Sequence, residues 1–225
     1  MNQRPDIITI DGPSGSGKST LSRLLAAELG YTYLDTGAMY RAVGLQVKNR
    51  HIDLEDDRSL KELLTGLELE LLPGGGDSVV ILDGHDVSRA IRSAEMGMMA
   101  SKVSGKPLVR ERLTALQRQM AVKGRVVAEG RDTGTVVFPL ARCKFFLEAA
   151  AEERARRRTE QLRQQGMSAD YDDILAQIKK RDADDSGRQL APLKPAADAL
   201  LIDCTKMDIA AVLNLMLDKV STAAG

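Results

Sequence analysis

Five short apolar runs recur along the chain, and longer amphipathic stretches separate them. The runs lie at 7–10, 31–34, 125–128, 143–147 and 199–203. Each is rich in β-branched, aromatic or aliphatic residues, as expected of buried strands. Between the runs, apolar residues return every three or four positions, which is typical of helices that cover a sheet. This alternation predicts an α/β fold with a five-stranded parallel sheet flanked by helices.

The hydrophobic period changes between residues 67 and 82. Leu67-Glu68-Leu69-Glu70-Leu71 alternates strictly between apolar and charged residues, which predicts a half-exposed strand. Val79-Val80-Ile81-Leu82 follows after a glycine-rich turn at 74–77, so we expect an antiparallel hairpin. The glycine run could also be a phosphate loop, but no lysine or helix pattern follows it, which favours the turn. Because the hairpin interrupts the strand–helix alternation, we interpret 36–104 as an inserted subdomain.

A glycine-rich segment follows the first predicted strand. Residues 12–20 fit the phosphate-binding pattern G-x-x-x-x-G-K-[ST], known as the P-loop. Its glycines let backbone N–H groups curl around phosphate oxygens at a helix N-terminus. A chance match in a chain of this length has odds of roughly one in a hundred. The motif alone does not distinguish a kinase from a GTPase or a motor.

The P-loop supplies the predicted nucleotide-binding residues. These are Gly12, Pro13, Ser14, Gly15, Ser16, Gly17, Lys18, Ser19 and Thr20. Lys18 can reach the β- and γ-phosphates, and the Ser19 hydroxyl can bind Mg²⁺. We therefore expect a nucleotide phosphate at this loop, with Mg²⁺ as cofactor and Ser19 as the metal ligand.

Two further predicted strands end in polar turns. Asp35-Thr36-Gly37 follows the second strand, and the segment 129–134 follows the third. Ligands bind at the carboxyl ends of the strands in open parallel sheets, so both turns are candidates for a binding cleft. A simple turn with a helix cap explains the first segment equally well. The side chains expected around the cleft are those of Lys18, Asp35, Arg41, Arg131 and Asp132 and the arginines of 154–158.

An arginine-rich helix is predicted at 151–165. Arg154, Arg157 and Arg158 fall at positions i, i+3 and i+4, so they share one helix face, whereas Arg156 points elsewhere. One interpretation is that these arginines face the predicted cleft. The other is a solvated basic helix with glutamate partners.

Composition limits the possible partners. Lys and Arg number 32, as do Asp and Glu, so the formal net charge is zero and no global field attracts nucleic acid. Tryptophan is absent and no aromatic residues interleave with the arginines of 154–163, so stacking platforms for RNA are missing. No apolar run is long enough to span a bilayer. We expect small-molecule partners, without nucleic acid or membrane.

The remaining residue types point to a cytoplasmic chain. Residues 1–6 lack the apolar region of a signal peptide, so export is not expected. Cys143 and Cys204 lie in apolar runs and are predicted to be buried thiols rather than a disulfide. His51 and His85 have no partner at metal-binding spacing and are predicted on the surface. No spare apolar stripe stands out, so we expect a monomer.

Four motifs together resemble bacterial cytidylate kinases, which are P-loop nucleoside monophosphate kinases. They are the P-loop at 12–20, Tyr-Leu-Asp-Thr-Gly-Ala-Met-Tyr-Arg at 33–41, Gly-Arg-Asp-Thr-Gly-Thr-Val-Val-Phe-Pro at 130–139 and the segment 180–193. The likeness covers nearly the whole chain in the right order. Ser16 replaces a frequent alanine, and Glu129 stands where aspartate is common.

The resemblance implies a reaction and a domain division. The reaction is transfer of a phosphoryl group from ATP to CMP or dCMP, giving CDP or dCDP, in cytoplasmic pyrimidine metabolism. The P-loop core would comprise 1–35, 105–150 and 170–225. The insert at 36–104 would bind the nucleoside monophosphate, and 151–169 would form a short helical lid.

The resemblance also implies roles for individual residues. The catalytic residues would be Lys18, Arg131, Asp132, Arg154, Arg157 and Arg158. The substrate-binding residues would be Asp35, Thr36, Tyr40, Arg41, Ser101, Arg110, Arg131, Asp132, Arg181, Asp185 and Arg188. Within that set, the acceptor phosphate is assigned to Arg41 and Arg131, the pentose to Thr36, Asp132 and Arg181, and the base to Ser101, Arg110, Asp185 and Arg188.

Two alternatives remain at this stage. A P-loop kinase for UMP, AMP or shikimate would share much of the pattern. A nucleotide-gated switch would need a guanine-reading Asn-Lys-x-Asp motif, which the sequence lacks. Asp83 and Asp203 each follow an apolar residue at a strand end and could serve as the acidic metal-binding residue of such a protein.

Overall fold

The fold is described from a computed structural model that covers residues 5–74 and 78–222. In chain order the elements are β1 (Ile7–Asp11), α1 (Lys18–Leu29), β2 (Thr32–Asp35), α2 (Thr36–Asn49), α3 (Asp57–Thr65), β3 (Leu69–Leu72), β4 (Val79–Leu82), β5 (His85–Asp86), α4 (Ala94–Val103), α5 (Pro107–Met120), β6 (Val126–Gly130), β7 (Cys143–Glu148), α6 (Ala151–Gln164), α7 (Tyr171–Ser186), β8 (Leu200–Asp203) and α8 (Ile209–Thr222). A 3₁₀ turn at Ala90–Arg92 and a π-helical turn at Thr133–Val137 complete the description.

The central sheet has the strand order β2-β6-β1-β7-β8, and all neighbouring strands are parallel. This confirms the predicted five-stranded α/β fold. β1 lies in the middle of the sheet and is buried along its whole length. Since the strands are parallel, their carboxyl ends and the polar turns that follow them meet at one edge.

Helices cover both faces of this sheet, as the period-2 pattern of β1 requires. Ile8 and Ile10 pack in one apolar cluster with Leu25 of α1 and Met216 of α8. Ile7 belongs to the opposite cluster, which also contains residues of α2, α3 and α5. Burial of these two faces fixes the sheet in position and therefore fixes its carboxyl edge.

The predicted hairpin is present and gains a third short strand. β3, β4 and β5 form an antiparallel sheet in that order. The predicted glycine turn lies largely at 75–77, outside the described residues. Leu69, Val80 and Leu82 of this sheet join the same apolar cluster as Ile7. The inserted segment therefore shares its core with one face of the central sheet.

The arginine-rich segment forms α6, which pairs with α7 as a helical hairpin. Ala155, Ile174 and Ile178 form a small apolar cluster between the two helices, separate from the clusters on the sheet faces. Aspartates cap the starts of α7 and α8: Asp170 accepts from Asp173 N at 3.0 Å, and Asp208 accepts from Ala211 N at 2.7 Å. Thr205, which precedes α8, does not cap this helix, because its hydroxyl donates to Asp203.

Other sequence expectations can be compared directly. Cys143 and Cys204 are buried free thiols, as predicted. His51 and His85 are exposed. Within 5–74 and 78–222, the structure contains no helix with the length and apolar character needed to cross a membrane.

The two-sided core gives a stability prediction for adjacent leucines of α1. Leu25 is fully buried, whereas Leu24 is 38% exposed. Leu25→Ala should lower the free energy of unfolding by about 2–5 kcal/mol, because the vacated space cannot fully collapse. Leu24→Ala is the control and should cost less than about 1 kcal/mol. Denaturant unfolding measures both, and equal losses would contradict the assigned packing.

Candidate active site

The P-loop joins β1 to α1 at the centre of the carboxyl edge. Gly12 has φ 149°, and a Cβ there would lie 2.2 Å from the carbonyl oxygen of Leu147. Gly17 precedes α1 with φ 91°. These glycines are required by close backbone approach and by left-handed geometry. The loop thus presents backbone N–H groups and the start of α1 to an anion, while the ammonium of Lys18 donates to the carbonyl of Pro13 at 2.8 Å.

A buried carboxylate lies beside the P-loop serine. The hydroxyl of Ser19 donates to Glu129 Oε1 at 2.8 Å, and Glu129 Oε2 is buried without a hydrogen-bond partner among the described residues. Glu129 lies near the end of β6, the neighbour of β1. Burial and the nearby charge of Asp35 raise the pKa of the Glu129 carboxyl. A hydroxyl and an unsatisfied carboxylate oxygen together form a donor set for a hard divalent cation.

Asp83 and Asp203, which the sequence suggested as acidic metal-binding residues, do not lie beside Ser19. Asp83 follows β4 and bonds to Gln46 and to the backbone N–H of Glu68. Asp203 ends β8 at the side of the sheet and accepts from Thr205. Glu129 also directly follows an apolar strand run, which is the pattern expected of an acidic metal-binding residue. The sequence alone does not show that this strand neighbours β1.

Positive charge accumulates next to the P-loop. Burial and the charge of Arg131 lower the pKa of Lys18 to about 7. Burial, followed by the charge of Arg131, lowers the pKa of Arg181 to about 10, and Arg41 and Arg188 contribute in the same direction. These side chains therefore lie close enough to influence one another electrostatically. We call them the cationic cluster, which consists of Lys18, Arg41, Arg131, Arg181 and Arg188. Such an arrangement favours binding of anions.

A carboxylate between two arginines organises one side of the cluster. Asp185 accepts from Arg131 Nε at 2.8 Å and from Arg188 Nη2 at 2.6 Å. Arg188 also donates to the hydroxyl of Ser104 at 2.8 Å. The charges of Arg131 and Arg188 lower the pKa of Asp185 in spite of its burial, which acts in the opposite direction. The predicted residues Arg131, Asp185 and Arg188 thus form one network, and Ser104 is a member that sequence reasoning missed.

A second buried pair lies beside this network. Arg110 Nη2 donates to Asp132, and Arg110 Nη1 donates to the carbonyl of Ser104 at 3.3 Å. The Arg110 guanidinium lies 5.8 Å from the centre of the Tyr40 ring. The hydroxyl of Tyr40 is buried and has no hydrogen-bond partner among the described residues. Burial raises the pKa of Tyr40 to about 12, so this phenol is a neutral donor available to a ligand.

The turn after β2 lies at the other side of the site. Asp35 caps α2 by accepting from Ala38 N at 2.8 Å and also accepts from Arg41 at 3.0 Å. The hydroxyl of Thr36 donates to the carbonyl of Glu129 at 2.6 Å. Both readings of this turn are therefore compatible with the structure, since Asp35 caps a helix and also holds a cationic side chain. Ser101 is half-buried in α4, where its carbonyl accepts from Ser104.

The three arginines of α6 differ in their environments. Arg154 is buried and donates to the carbonyls of Ala149 and Ser14, and it forms a two-point pair with Asp182 at 2.6 and 3.2 Å. Arg157 pairs with Glu153 and donates to the carbonyls of Cys204 and Thr205. Arg158 is half-buried and bonds to the amide of Gln161. Asp182 was not among the residues predicted from sequence, because its partner is 28 positions away.

Comparison with known proteins identifies the family of this chain. The family model described as cytidylate kinase matches residues 8–222. A cytidylate kinase of Syntrophotalea carbinolica is 51% identical over 215 residues, which cover 96% of this chain and 92% of the relative. A cytidylate kinase of Vibrio cholerae is 46% identical over 222 residues, which cover 99% of each chain.

A solved structure supports the fold independently. The crystal structure of an uncharacterized protein from Eubacterium ventriosum has a TM-score of 0.52 at 15% identity, covering 96% of this chain and 98% of that one. At this identity the similarity concerns the fold alone. The family match and the high identity over nearly the whole length establish the relationship: the chain belongs to the cytidylate kinase family.

Proposed function

We propose that this protein transfers the γ-phosphoryl group of ATP to CMP or dCMP, releasing ADP and CDP or dCDP, in pyrimidine nucleotide metabolism. Membership of a kinase family supports the reaction and removes the nucleotide-gated switch as an alternative. The cationic cluster carries the proposal, because its five side chains adjoin the P-loop on one side and a polar network on the other. A phosphate donor and a phosphate acceptor could meet there.

On the donor side, the P-loop backbone and Lys18 bind the phosphates of ATP. Charge spreads over the equatorial phosphoryl oxygens during transfer, so positioned cations contribute more than acid–base groups. Ser19 and the unsatisfied Glu129 oxygen fit Mg²⁺ by chemistry. When bound, Mg²⁺ would offset charge on the phosphate oxygens. Glu129 was noted in the sequence only as a substitution, and its contact with Ser19 makes it our candidate metal-positioning residue.

On the acceptor side, Arg41 and Arg131 bind the phosphate of CMP. Planar guanidinium groups match phosphate oxygens in a two-point geometry. Asp35 and Asp185 hold these two arginines through hydrogen bonds. An incoming phosphate would take over part of this pairing. A phosphate oxygen of CMP then attacks the γ-phosphorus as the bond to ADP breaks, and no general base is needed because that oxygen is already ionised.

The base and pentose are assigned to the buried network. The cytosine amino group needs an acceptor, which we assign to Asp185, and its ring acceptors need donors, which we assign to Arg110, Arg188 and Ser101. Thr36, Asp132 and Arg181 are assigned to the pentose, and the unpartnered Tyr40 hydroxyl is a further donor near this set. Uracil would set a carbonyl oxygen against the carboxylate, and unpaired buried polar groups discriminate strongly.

We assign a separate role to each segment of the chain. The segments 1–35, 105–150 and 170–225 form the P-loop core, 36–104 binds the monophosphate and 151–169 acts as a lid. Closure of the lid would exclude water, which competes as acceptor. Arg154 and Arg157 have buried or backbone partners, whereas Arg158 bonds only an amide side chain among the described residues. Arg158 is therefore our candidate for direct contact with the donor phosphates.

Two broader properties belong to the same proposal. A cytoplasmic location is supported by the two free thiols, since a reducing compartment keeps thiols unpaired. A monomer is supported because one chain supplies every side chain assigned above.

The direct test is an acceptor panel. ADP release from ATP and Mg²⁺ is measured with CMP, dCMP, UMP, AMP and shikimate offered separately. CMP and dCMP should stimulate release strongly, with UMP at least about tenfold behind in kcat/KM. Stimulation by another acceptor alone would contradict the assigned specificity, and stimulation by none would contradict the proposed reaction.

Asp185→Asn tests the base-reading assignment. The substitution removes the charge that faces Arg131 and Arg188 and places an amide donor against the cytosine amino group. The preference for CMP over UMP in kcat/KM should fall about tenfold or more. Asp184→Asn is the control, because Asp184 is an exposed neighbour. An unchanged preference in Asp185→Asn would remove this residue from base reading.

Lys18→Ala tests transition-state stabilisation by the P-loop lysine. Its contact with the transferring phosphoryl group strengthens as charge develops, so kcat should fall about 100-fold or more. The Kd for CMP should change less than about threefold. Lys61→Ala, at an exposed lysine of α3, is the control for loss of charge alone. Equal losses in kcat and CMP affinity would argue against this role.

A further inference from the structure

Asp11 is a buried acid for which the proposed mechanism has no role. It is the last residue of β1, directly before the P-loop, and its exposed fraction is 3%. In the sheet it lies opposite Gly130 of β6 and Phe146 of β7. Its side chain therefore lies under the carboxyl edge, between the donor and acceptor sides of the site.

The carboxylate of Asp11 accepts three hydrogen bonds from one turn. Oδ1 accepts from the backbone N–H of Thr133 at 2.9 Å and from its hydroxyl at 2.8 Å, and Oδ2 accepts from Gly134 N at 2.7 Å. These N–H groups start the π-helical turn Thr133–Val137, and the donors at the start of a helical turn favour a negative charge. Asp11 of β1 thus caps the start of the π-helical turn that follows β6.

This arrangement fixes a two-residue arch at both ends. Gly130, on one side of the arch, pairs with Asp11 in the sheet, and Thr133, on the other side, bonds to the Asp11 carboxylate. Arg131 and Asp132 are the two residues between them. The arch is also tightly packed, because a Cβ at Gly130 would lie 2.7 Å from the Thr133 methyl group. The orientation of both arch residues therefore depends on Asp11.

A purely stabilising role fits Asp11 poorly. Burial, with a smaller contribution from Asp132, raises the pKa of Asp11 to about 6 in spite of the three hydrogen bonds. The folded chain then binds this proton more tightly than the unfolded chain does. Stability accordingly falls as pH rises from about 4 to about 6, so the ionised carboxylate costs stability near neutral pH.

We infer that Asp11 is a positioning residue, which holds Arg131 and Asp132 in fixed register with the P-loop so that acceptor and donor phosphates are aligned. The inference rests on the proposed function, in which Arg131 binds the acceptor phosphate and Asp132 the pentose. The buried carboxylate of Asp11 is bonded to Thr133 and Gly134. It acts through the arch, and its effect belongs to the acceptor side and to the chemical step.

The test uses Asp11→Asn in the full-length chain. Asparagine keeps the shape but replaces one acceptor oxygen with an amide donor, which opposes a backbone N–H. We expect kcat to fall about tenfold or more and the KM for CMP to rise, while the KM for ATP changes less than about threefold. A role limited to stability would reduce the active fraction and leave both KM values unchanged. That result, or unchanged kinetics, would overturn the inference.

A paired substitution at Thr133 keeps the test decisive if Asp11→Asn does not fold. Thr133→Val removes one of the three hydrogen bonds and keeps the shape, whereas Thr133→Ser keeps the hydroxyl and removes the methyl group. Only the valine variant should raise the KM for CMP and lower kcat. Equal behaviour of the two variants would overturn the inference. The wild-type protein with CMP, assayed alongside, reports on the proposed function separately.

Discussion

Concentrated positive charge at one edge of the sheet is the constraint on which the site depends. Lys18, Arg131 and Arg181 lie close enough to lower the pKa values of the lysine and of Arg181. Negative charge among such cations offsets their mutual repulsion. Glu129 and Asp185 provide that negative charge. The cationic side chains are therefore already assembled beside the P-loop.

The apolar part of the molecule holds these charges in place. β1 is buried on both faces and flanked by parallel strands, so the residues at its carboxyl end have little freedom. The P-loop, the Arg131–Asp132 arch and Glu129 all emerge from β1 or its neighbour β6. Buried ion pairs contribute little net stability, but they specify geometry when the surrounding core is rigid. The site is thus preorganised by the order of the strands.

Local patterns predicted the sheet, the hairpin and the P-loop, because strand and helix periods and the glycine spacing are visible within a few residues. Partners across the sheet were not predictable in the same way. Ser19 meets Glu129 across 110 positions, and Asp11 meets Thr133 across 122. Strand order decides these contacts, and a single sequence with five similar apolar runs does not specify that order. The family resemblance supplied most of the site residues, including Asp35 and Asp185, but not Asp11 or Asp182, whose partners come from other elements of the fold.

The shared core of the inserted segment limits how the protein can be taken apart. Leu69 and Val80 of the small sheet belong to the same apolar cluster as Ile7 of β1 and Val109 of α5. Excising 36–104 would expose this continuous surface on both pieces. The segment is therefore unsuited to transplantation as an independent cassette. An exchange of this segment between related proteins would have to carry α5 and the facing side of the central sheet with it.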